Sequence, residues 1–490
     1  EIMTLETIIQ DSGVLNVKGA CDIPVSGITD DSRKVVPGGL FIAVKGFAGD
    51  GHAFIPAAIA KGAAAIAYED ASALEGISAE GVTFVQVENS RRAVAMMAAR
   101  YFDHPSEKLT LVGITGTNGK TTTVTLLYKL FMGLGYPCGL LSTIANYVGE
   151  KRSETANTTA DPITINRLLA EMVEAGCAYC FMEVSSIGVE QERVSGLHFK
   201  AAIFSNLTHD HLDYHKTFAE YLRCKKLFFD RLGADAYAII NIDDKNGRVM
   251  VQNTAAQVIT YSLRAMADHT ARIMEESFEG MMLRIDGKET WTRLIGAHNA
   301  YNVLAIYSTA VAVGADPDEA LVAISGLTSV EGRLETLRGP RDISVVIDYA
   351  HTPDAMENVL STLRDIAPER TLICLFGCGG DRDRTKRPEM AAVAEKMADR
   401  IVVTSDNSRT EQTADIIRDI RTGLSPKGLA KSLFIEDRKE AIRTAILTAP
   451  AKATILLAGK GHENYQIIGT EKRHFDEKEI VNETFNLITE

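Results

Sequence analysis

The segment LVGITGTNGKTTTVTLL, Leu111–Leu127, comes within one position of the glycine-rich pattern G-x-x-x-x-G-K-[ST]. In that pattern backbone N–H groups cradle phosphates, the lysine reaches the terminal ones and the following hydroxyl binds Mg²⁺. Counting back from Gly119, Lys120 and Thr121 puts Ile114 where the first glycine belongs, with Gly113 one place early. Three requirements survive the change: a β-branched run before the loop, glycines at 116 and 119, and a helix opening at Lys120. Val124, Leu127, Tyr128 and Phe131 recur at helical spacing before Gly133, Gly135 and Pro137 close the pattern. Gly116, Thr117, Asn118, Gly119, Lys120, Thr121 and Thr122 are therefore candidate phosphate-binding residues. The alternative is a glycine-rich turn carrying a surface lysine.

A second group follows two apolar runs. YCFMEVSS ends a strand-like run at Glu183, and AAIFSNLTHDHLDYH ends one before His209, Asp210 and His211. In open α/β sheets ligands collect at the carboxyl ends of strands, so Glu183 and His211 are expected near the phosphates. With Thr121 they could coordinate Mg²⁺, for which a carboxylate and a hydroxyl are the natural donors. The competing reading is a zinc hydrolase, since H-x-H-x-D-H suits Zn²⁺. Here the order His209, His211, Asp213, His215 is out of step by one. Further along, VVIDYAHTPD, LICLFGCGGDRD, IVVTSDNSRTE and TILLAGKGHE are strand-like runs that end in polar loops. In a parallel sheet they gather Asp348, His351, Arg382, Asp406, Asn407, Arg409 and Glu463 at one edge. Taken singly, each of these is equally a cap or a surface residue.

The elements that must position these residues follow from the alternation of short β-branched runs with helical patterns, which implies parallel sheets covered by helices. At 490 residues the chain is too long for one core. Polar segments at Asp103–Lys108 and Glu331–Asp342 mark two boundaries. The expectation is an α/β protein of three domains: residues 1–106, residues 107–336 with a mainly parallel sheet and the phosphate loop, and residues 337–490 as a doubly wound, Rossmann-like domain. A net charge of −13 excludes broad binding to nucleic acid or anionic membrane. No apolar run is long enough for a membrane anchor, and no secretory signal is visible, so a cytoplasmic location is expected. The seven cysteines read as reduced, and the Cys177/Cys180 and Cys374/Cys378 pairs, in or beside apolar runs, as buried structural residues rather than a zinc or redox pair.

TGTNGKTT, MEVSS, NLTHDHLDYH, GAHNAYNVLAI, DYAHTPD and AGKGHE occur together, in this order and across most of the chain. In this the sequence resembles the Mur ligases, ATP-dependent amino-acid-adding enzymes of peptidoglycan synthesis, and Ile114 is the spelling that family uses. The resemblance implies an N-terminal domain for a UDP sugar, a central ATPase and a C-terminal domain for the incoming amino acid. It implies the substrates UDP-N-acetylmuramoyl-L-alanyl-D-glutamate, ATP and meso-diaminopimelate, and a monomer is expected. Ser32 would lie near the uridine, and Asn157, Thr158, Thr159, Ser185, Gln191 and Arg193 would contact the muramoyl peptide. Asn299, Asn302, Arg333, Asp348 and His351 match nucleotide positions.

EYLRCKKLFFDRLG aligns Lys225 with a carbamylated lysine of the family, whose carbamate would hold a second Mg²⁺. Tyr221, Lys225 and Phe229 share one helix face, which makes a partly buried Lys225 the expectation. Thr121, Glu183, His211 and Lys225 are thus the expected metal ligands, and Lys120, Glu183, His211 and Lys225 the expected catalytic set. The loop Asp406, Asn407, Ser408 and Arg409, together with Arg382, Gly459 and Glu463, would choose meso-diaminopimelate. An arginine can pair bidentately with its distal carboxylate, which L-lysine lacks. Ser408 stands where the family usually has proline, which frees φ there. The L-lysine-adding form, folylpolyglutamate synthetase and an inactive nucleotide-binding scaffold are the alternatives.

Overall fold

The computed structural model describes residues 2–46, 49–153, 160–208 and 217–488. By packing, the chain divides into two compact units, Glu1–Thr270 with Tyr301–Ile324, and Ala271–Ala300 with Ser325–Glu490. The first unit opens with β1 (Val14–Lys18), β2 (Ile28–Thr29), β3 (Leu40–Ile42), β4 (Ala65–Tyr68) and β5 (Thr83–Val87), ordered β1-β5-β4-β3-β2. Only β1 runs antiparallel to its neighbour. Every residue of β3 and β4 is buried, because these apolar runs are covered on both faces, as parallel strands must be. The helix Ser90–Tyr101, capped by the Asn89 side chain on the N–H groups of Arg91 and Arg92, supplies Ala93, Val94 and Met97 to one of the two cores.

The same unit holds a larger sheet made of β6 (Thr110–Thr115), β7 (Cys138–Leu141), β8 (Asn146–Val148), β9 (Lys151–Ser153), β10 (Tyr179–Glu183), β11 (Ala201–Phe204), β12 (Tyr237–Asn241) and β13 (Gln257–Ser262). Their order is β13-β12-β11-β6-β10-β7-β8-β9, parallel except at the β7–β8 and β8–β9 hairpins. The chain winds to opposite sides of β6, which therefore stands between β10 and β11. Loops leaving β6, β10 and β11 share one edge, the crevice where open α/β sheets take ligands.

In the second unit β14 (His269–Ser277), from Ala271 onward, forms an antiparallel meander with β15 (Gly280–Ile285) and β16 (Lys288–Thr292). The remaining strands are β17 (Glu335–Arg338), β18 (Ser344–Asp348), β19 (Leu372–Phe376), β20 (Arg400–Val403), β21 (Ser432–Phe434) and β22 (Thr454–Ala458), ordered β17-β18-β22-β19-β20-β21. All neighbours are parallel except β17 with β18. Helices Pro353–Ile366, Lys386–Met397 and Thr413–Arg421 pack on one face. Arg438–Leu447 and Glu477–Phe485 pack on the other, giving the expected doubly wound layer. A hairpin, β23 (Tyr465–Ile468) and β24 (Glu471–His474), follows. The polar segment Glu331–Asp342, read from the sequence as the place of a boundary, contains β17, a half-buried edge strand paired with β18. Among the described residues no helix is long and apolar enough to cross a membrane.

Candidate active site

The loop after β6 is shaped by two glycines. Gly119 has φ +87° and caps the helix Lys120–Gly133. Gly116 has φ +155°, and a Cβ there would overlap the Ser205 hydroxyl. A side chain is excluded at 116 by both conformation and space. The loop leaving β11 then holds the phosphate loop in place. Asn206 Oδ1 accepts from the Asn118 N–H at 2.9 Å, and its amide nitrogen and the Ser205 hydroxyl both donate to Asn118 O at 3.0 Å. Thr117 Oγ1 accepts from the Thr208 N–H at 3.0 Å and lies 3.1 Å from the Tyr221 hydroxyl. Asn302 Oδ1 accepts from Thr123 at 3.2 Å, so it braces the helix start.

Beside this loop a carboxylate meets two hydroxyls. Thr121 donates to Glu183 Oε1 at 2.9 Å, while Thr143 donates to Oε2 through its N–H at 2.7 Å and through its hydroxyl at 3.2 Å. Glu183 is 1% exposed. Burial raises its pKa, and Lys120 and these hydrogen bonds act in the opposite sense. Thr143 was not anticipated, because a lone threonine in a turn carries no pattern.

Lys225, on the helix Phe218–Asp230, is more deeply buried than its face suggested, at 1% exposed. Its ammonium donates to Gly116 O at 3.0 Å and Thr115 Oγ1 at 3.3 Å, and lies 4.8 Å from the centre of the Tyr221 ring. Lys120 donates to the same Gly116 carbonyl at 2.8 Å. Burial, and then the nearby Lys120 charge, hold the Lys225 pKa well below the usual lysine range. A lysine so placed is biased toward the neutral amine, the form that reacts with CO₂. His211, with the rest of the histidine cluster, and Asn157, Thr158 and Thr159 lie outside the described residues.

Elsewhere in the first unit a cavity of about 440 Å³ is lined by Asp30, Lys45, Arg91, Gln191 and Arg193, among others. Arg193 donates to Gln191 Oε1 at 2.7 Å. Burial, with Asp161 nearby, raises the Asp30 pKa. Ser32 lies in the short turn Ser32–Lys34 and is not among the lining residues. Ser185 caps the helix Ser186–Glu190 by accepting from the Gly188 N–H at 2.9 Å. Sequence reasoning singled out neither Lys45, although it lies at the end of the run DDSRKVVPGGLFIAVKG that carries Ser32, nor Arg91, which belongs to an ordinary helical pattern. Asp50, His52 and Asp70 also come together in this unit. His52 Nε2 accepts from the N–H groups of Glu69 and Asp70, which places the proton on Nδ1, 2.6 Å from Asp50. Both ring nitrogens are thereby engaged in holding the fold.

In the second unit, Asp348 at the end of β18 accepts from the N–H groups of Leu334 (2.9 Å) and Ala350 (2.8 Å). Burial raises its pKa and Arg333 opposes the rise. Arg333 stands over the Tyr349 ring at 5.2 Å, and His351 and His462 pack against the same ring. Asn299 is buried, its amide nitrogen donating to Ile295 O at 2.8 Å.

The loops after β19 and β20 are bound to each other. Arg409, at φ +53°, donates to Gly380 O at 3.0 Å and Asn407 O at 3.3 Å. Arg387, fully buried, pairs with Glu411 at 2.7 Å and Asp419 at 2.9 Å and donates to Gly379 O at 3.0 Å. Ser408 lacks proline's fixed φ, but its hydroxyl bonds Thr413 Oγ1 at 2.7 Å and it is 1% exposed, so the loop is held by other means. Arg382 is exposed, with a donor on Asp381 O at 3.0 Å. Asn407 donates to Glu463 Oε1 at 3.3 Å, and Gly459 has φ +113°. Cys177, Cys180, Cys374 and Cys378 are buried free thiols, as expected of the two pairs, and so are Cys138 and Cys224, while Cys21 is half-buried.

The fold and site define an α/β enzyme of three domains whose central sheet carries a phosphate loop. Three family models match successive parts of the chain: the Mur ligase family catalytic domain at residues 24–102, the Mur ligase middle domain at 114–310, and the Mur ligase glutamate ligase domain at 332–461. The UDP-N-acetylmuramoyl-L-alanyl-D-glutamate--2,6-diaminopimelate ligase of Cytophaga hutchinsonii is 48% identical over 486 residues, covering 99% of this chain and 100% of that one. The ligase of the same name from Bacteroides fragilis is also 48% identical, with the same coverage. A solved structure bearing that name superposes with a TM-score of 0.73 at 30% identity, covering 99% of both chains. The chain belongs to the Mur ligase family.

Proposed function

We propose that the chain is an ATP-dependent amide ligase that joins meso-diaminopimelate to the D-Glu γ-carboxylate of UDP-N-acetylmuramoyl-L-alanyl-D-glutamate, a step of peptidoglycan precursor synthesis. The observation that carries the reading is the full-length identity to ligases of that name, beside a phosphate loop whose lysine borders a buried carboxylate. On this reading residues 1–106 bind the UDP sugar, 107–336 the ATP and 337–490 the amino acid, and the chain acts as a monomer in the cytoplasm.

In the first step an oxygen of the γ-carboxylate bonds to the γ-phosphorus as the bond to ADP breaks, giving an acyl phosphate. The amine nitrogen then bonds to the acyl carbon, phosphate leaves with the C–O electron pair, and the amine proton passes to solvent. Two anions must meet, so positioning and charge neutralisation supply most of the rate. Lys120 and the N–H groups of the loop would hold the phosphates, and Gln191 and Arg193 the muramoyl peptide. No nucleophile from the protein is required. The donors present suit a hard cation, since Glu183 and Thr121 offer only oxygen. Thr121, Glu183 and His211, and a carbamate on Lys225, would hold Mg²⁺, which when bound offsets phosphate charge. Arg382, Arg409, Asn407 and Glu463 would bind the two ends of the diamino acid.

The test is phosphate release with ATP, Mg²⁺ and the UDP-muramoyl-dipeptide, comparing meso-diaminopimelate with L-lysine. Release is expected with the first and about a hundredfold less with the second, since lysine leaves the guanidinium unpaired. Equal rates would refute the choice of donor, and no release with either would refute the ligase reading.

A further inference from the structure

Lys460, in the loop that follows β22, is fully buried. A buried ammonium is costly unless its surroundings answer its charge. Its Nζ donates to Asn407 Oδ1 at 3.0 Å and Tyr465 O at 2.8 Å, and lies 3.3 Å from Asp406 Oδ1 and 3.6 Å from Glu463 Oε1. Tyr465 and Phe475 flank it, with ring centres 5.9 and 5.7 Å away. The cluster is built around that ammonium. A Cβ at Gly459 would lie 2.8 Å from Asp406 Oδ2, so glycine lets the carboxylate fold against the chain. Ile467 N–H donates to the same Asn407 oxygen at 2.9 Å, which fixes the amide with its nitrogen toward Glu463.

Arg438 makes a useful contrast. It is equally buried, but it donates to the Ser405 and Ala458 carbonyls and pairs with Glu477, all parts of the frame. Apart from the Tyr465 carbonyl, the partners of Lys460 are instead side chains of the loops that follow β20 and β22. Two carboxylates around one ammonium leave one negative charge over. Glu463 keeps an oxygen, Oε2, whose recorded partner is the Tyr465 hydroxyl at 3.4 Å.

We infer that Lys460 is a positioning residue that sets the choice of amine donor: it holds Asn407 and Glu463 in place and leaves one uncompensated carboxylate for a second ammonium on the donor. The site therefore prefers a diamino acid to the same molecule without its distal amine. This rests on the proposed ligase reading.

The experiment measures ADP formation with the UDP-muramoyl-dipeptide, ATP and either meso-diaminopimelate or 2-aminopimelate, which keeps both carboxylates and lacks the distal amine. In the unmodified protein the preference for meso-diaminopimelate is expected to be about 100-fold or more, because the analogue leaves a buried polar group unpaired. In Lys460→Met it should fall below about 5-fold, through KM for the diamino acid, while KM for ATP moves less than about twofold. A variant that loses kcat with both donors alike and keeps its preference would overturn the inference, since that is what a purely structural lysine would do. Glu463→Gln keeps Lys460 and removes the uncompensated charge, so it decides the matter if Lys460→Met does not fold. Loss of preference in it supports the inference, and retention overturns it. No ligation by the unmodified protein with either donor would instead refute the ligase reading, whereas ligation of both donors equally would refute the selection alone.

Discussion

Lys225→Met is expected to give a protein that is more stable and inactive. The hydrogen bonds of the buried Lys225 ammonium go to Gly116 O and Thr115 Oγ1, and its charged neighbour Lys120 repels it. An effective penalty of several kcal/mol for burying such an ion stands against about 1 kcal/mol for each of two hydrogen bonds. Gly116 O retains Lys120 as a donor, so the substitution leaves that carbonyl satisfied. Methionine matches the stem in length, which keeps repacking costs small. The net gain should be about 1–3 kcal/mol at pH 7.

The pH dependence follows from the sign of the shift. The folded pKa lies well below the ordinary lysine value of 10.5, so between the two the unfolded chain binds more protons than the folded one. Stability of the unmodified protein should therefore rise with pH through that window, and the advantage of Lys225→Met should shrink. Urea unfolding at pH 7 and pH 9 in CO₂-free buffer, followed for the transition of the first unit because several domains need not melt together, measures both. Bicarbonate should then stabilise the unmodified protein alone, by giving the neutral amine a carbamate to form. A variant less stable than its parent, or an advantage that does not change with pH, would refute the desolvation argument.

Other substitutions probe the same loop and the cores. Lys120→Ala should lower ligation at least about 10³-fold with little change in the thermal midpoint, and retention of more than a few per cent activity would count against its role. Gly116→Ala should cost about 2–4 kcal/mol, from the unfavourable φ and the overlap with the Ser205 hydroxyl. Ser205→Ala in the same chain should return part of that loss, and strict additivity in a double-mutant cycle would rule out the overlap. Iodoacetamide at pH 8 should label native protein chiefly at the half-buried Cys21, because Cys374 and Cys378 are buried with thiols pushed up to about 12. Peptide mass spectrometry showing rapid labelling at either of those two would contradict their burial.

The strand, loop and helix at 110–133 were legible because glycine positions and helical spacing are local properties of the chain. The parallel edge carrying Asp348, Asp406 and Glu463 was legible for a similar reason, since strands covered on both faces read as continuous apolar runs. Depth was not legible: periodicity marks the face on which Lys225 lies, not how much packs above it. Lys460 and Arg387 went unread because charged residues are taken as solvated, and their partners Asn407 and Glu411 lie 53 and 24 residues away. For Lys460 a signal did exist, since it follows the apolar run TILLA at the edge where ligands collect.

The position of β22 bears on how the chain is made. It fills the gap between β18 and β19, yet Thr454 is synthesised 110 residues after its partner Ser344. At about 5–20 residues per second, a ribosome leaves those two strands without their shared neighbour for roughly 5–20 seconds. Until Thr454–Ala458 emerges, both present unpaired apolar edges of the kind that recruit other nascent chains. A stall or a premature stop before Ala458 should therefore yield an aggregation-prone product, and in the living cell this half of the molecule is the one expected to depend on chaperones.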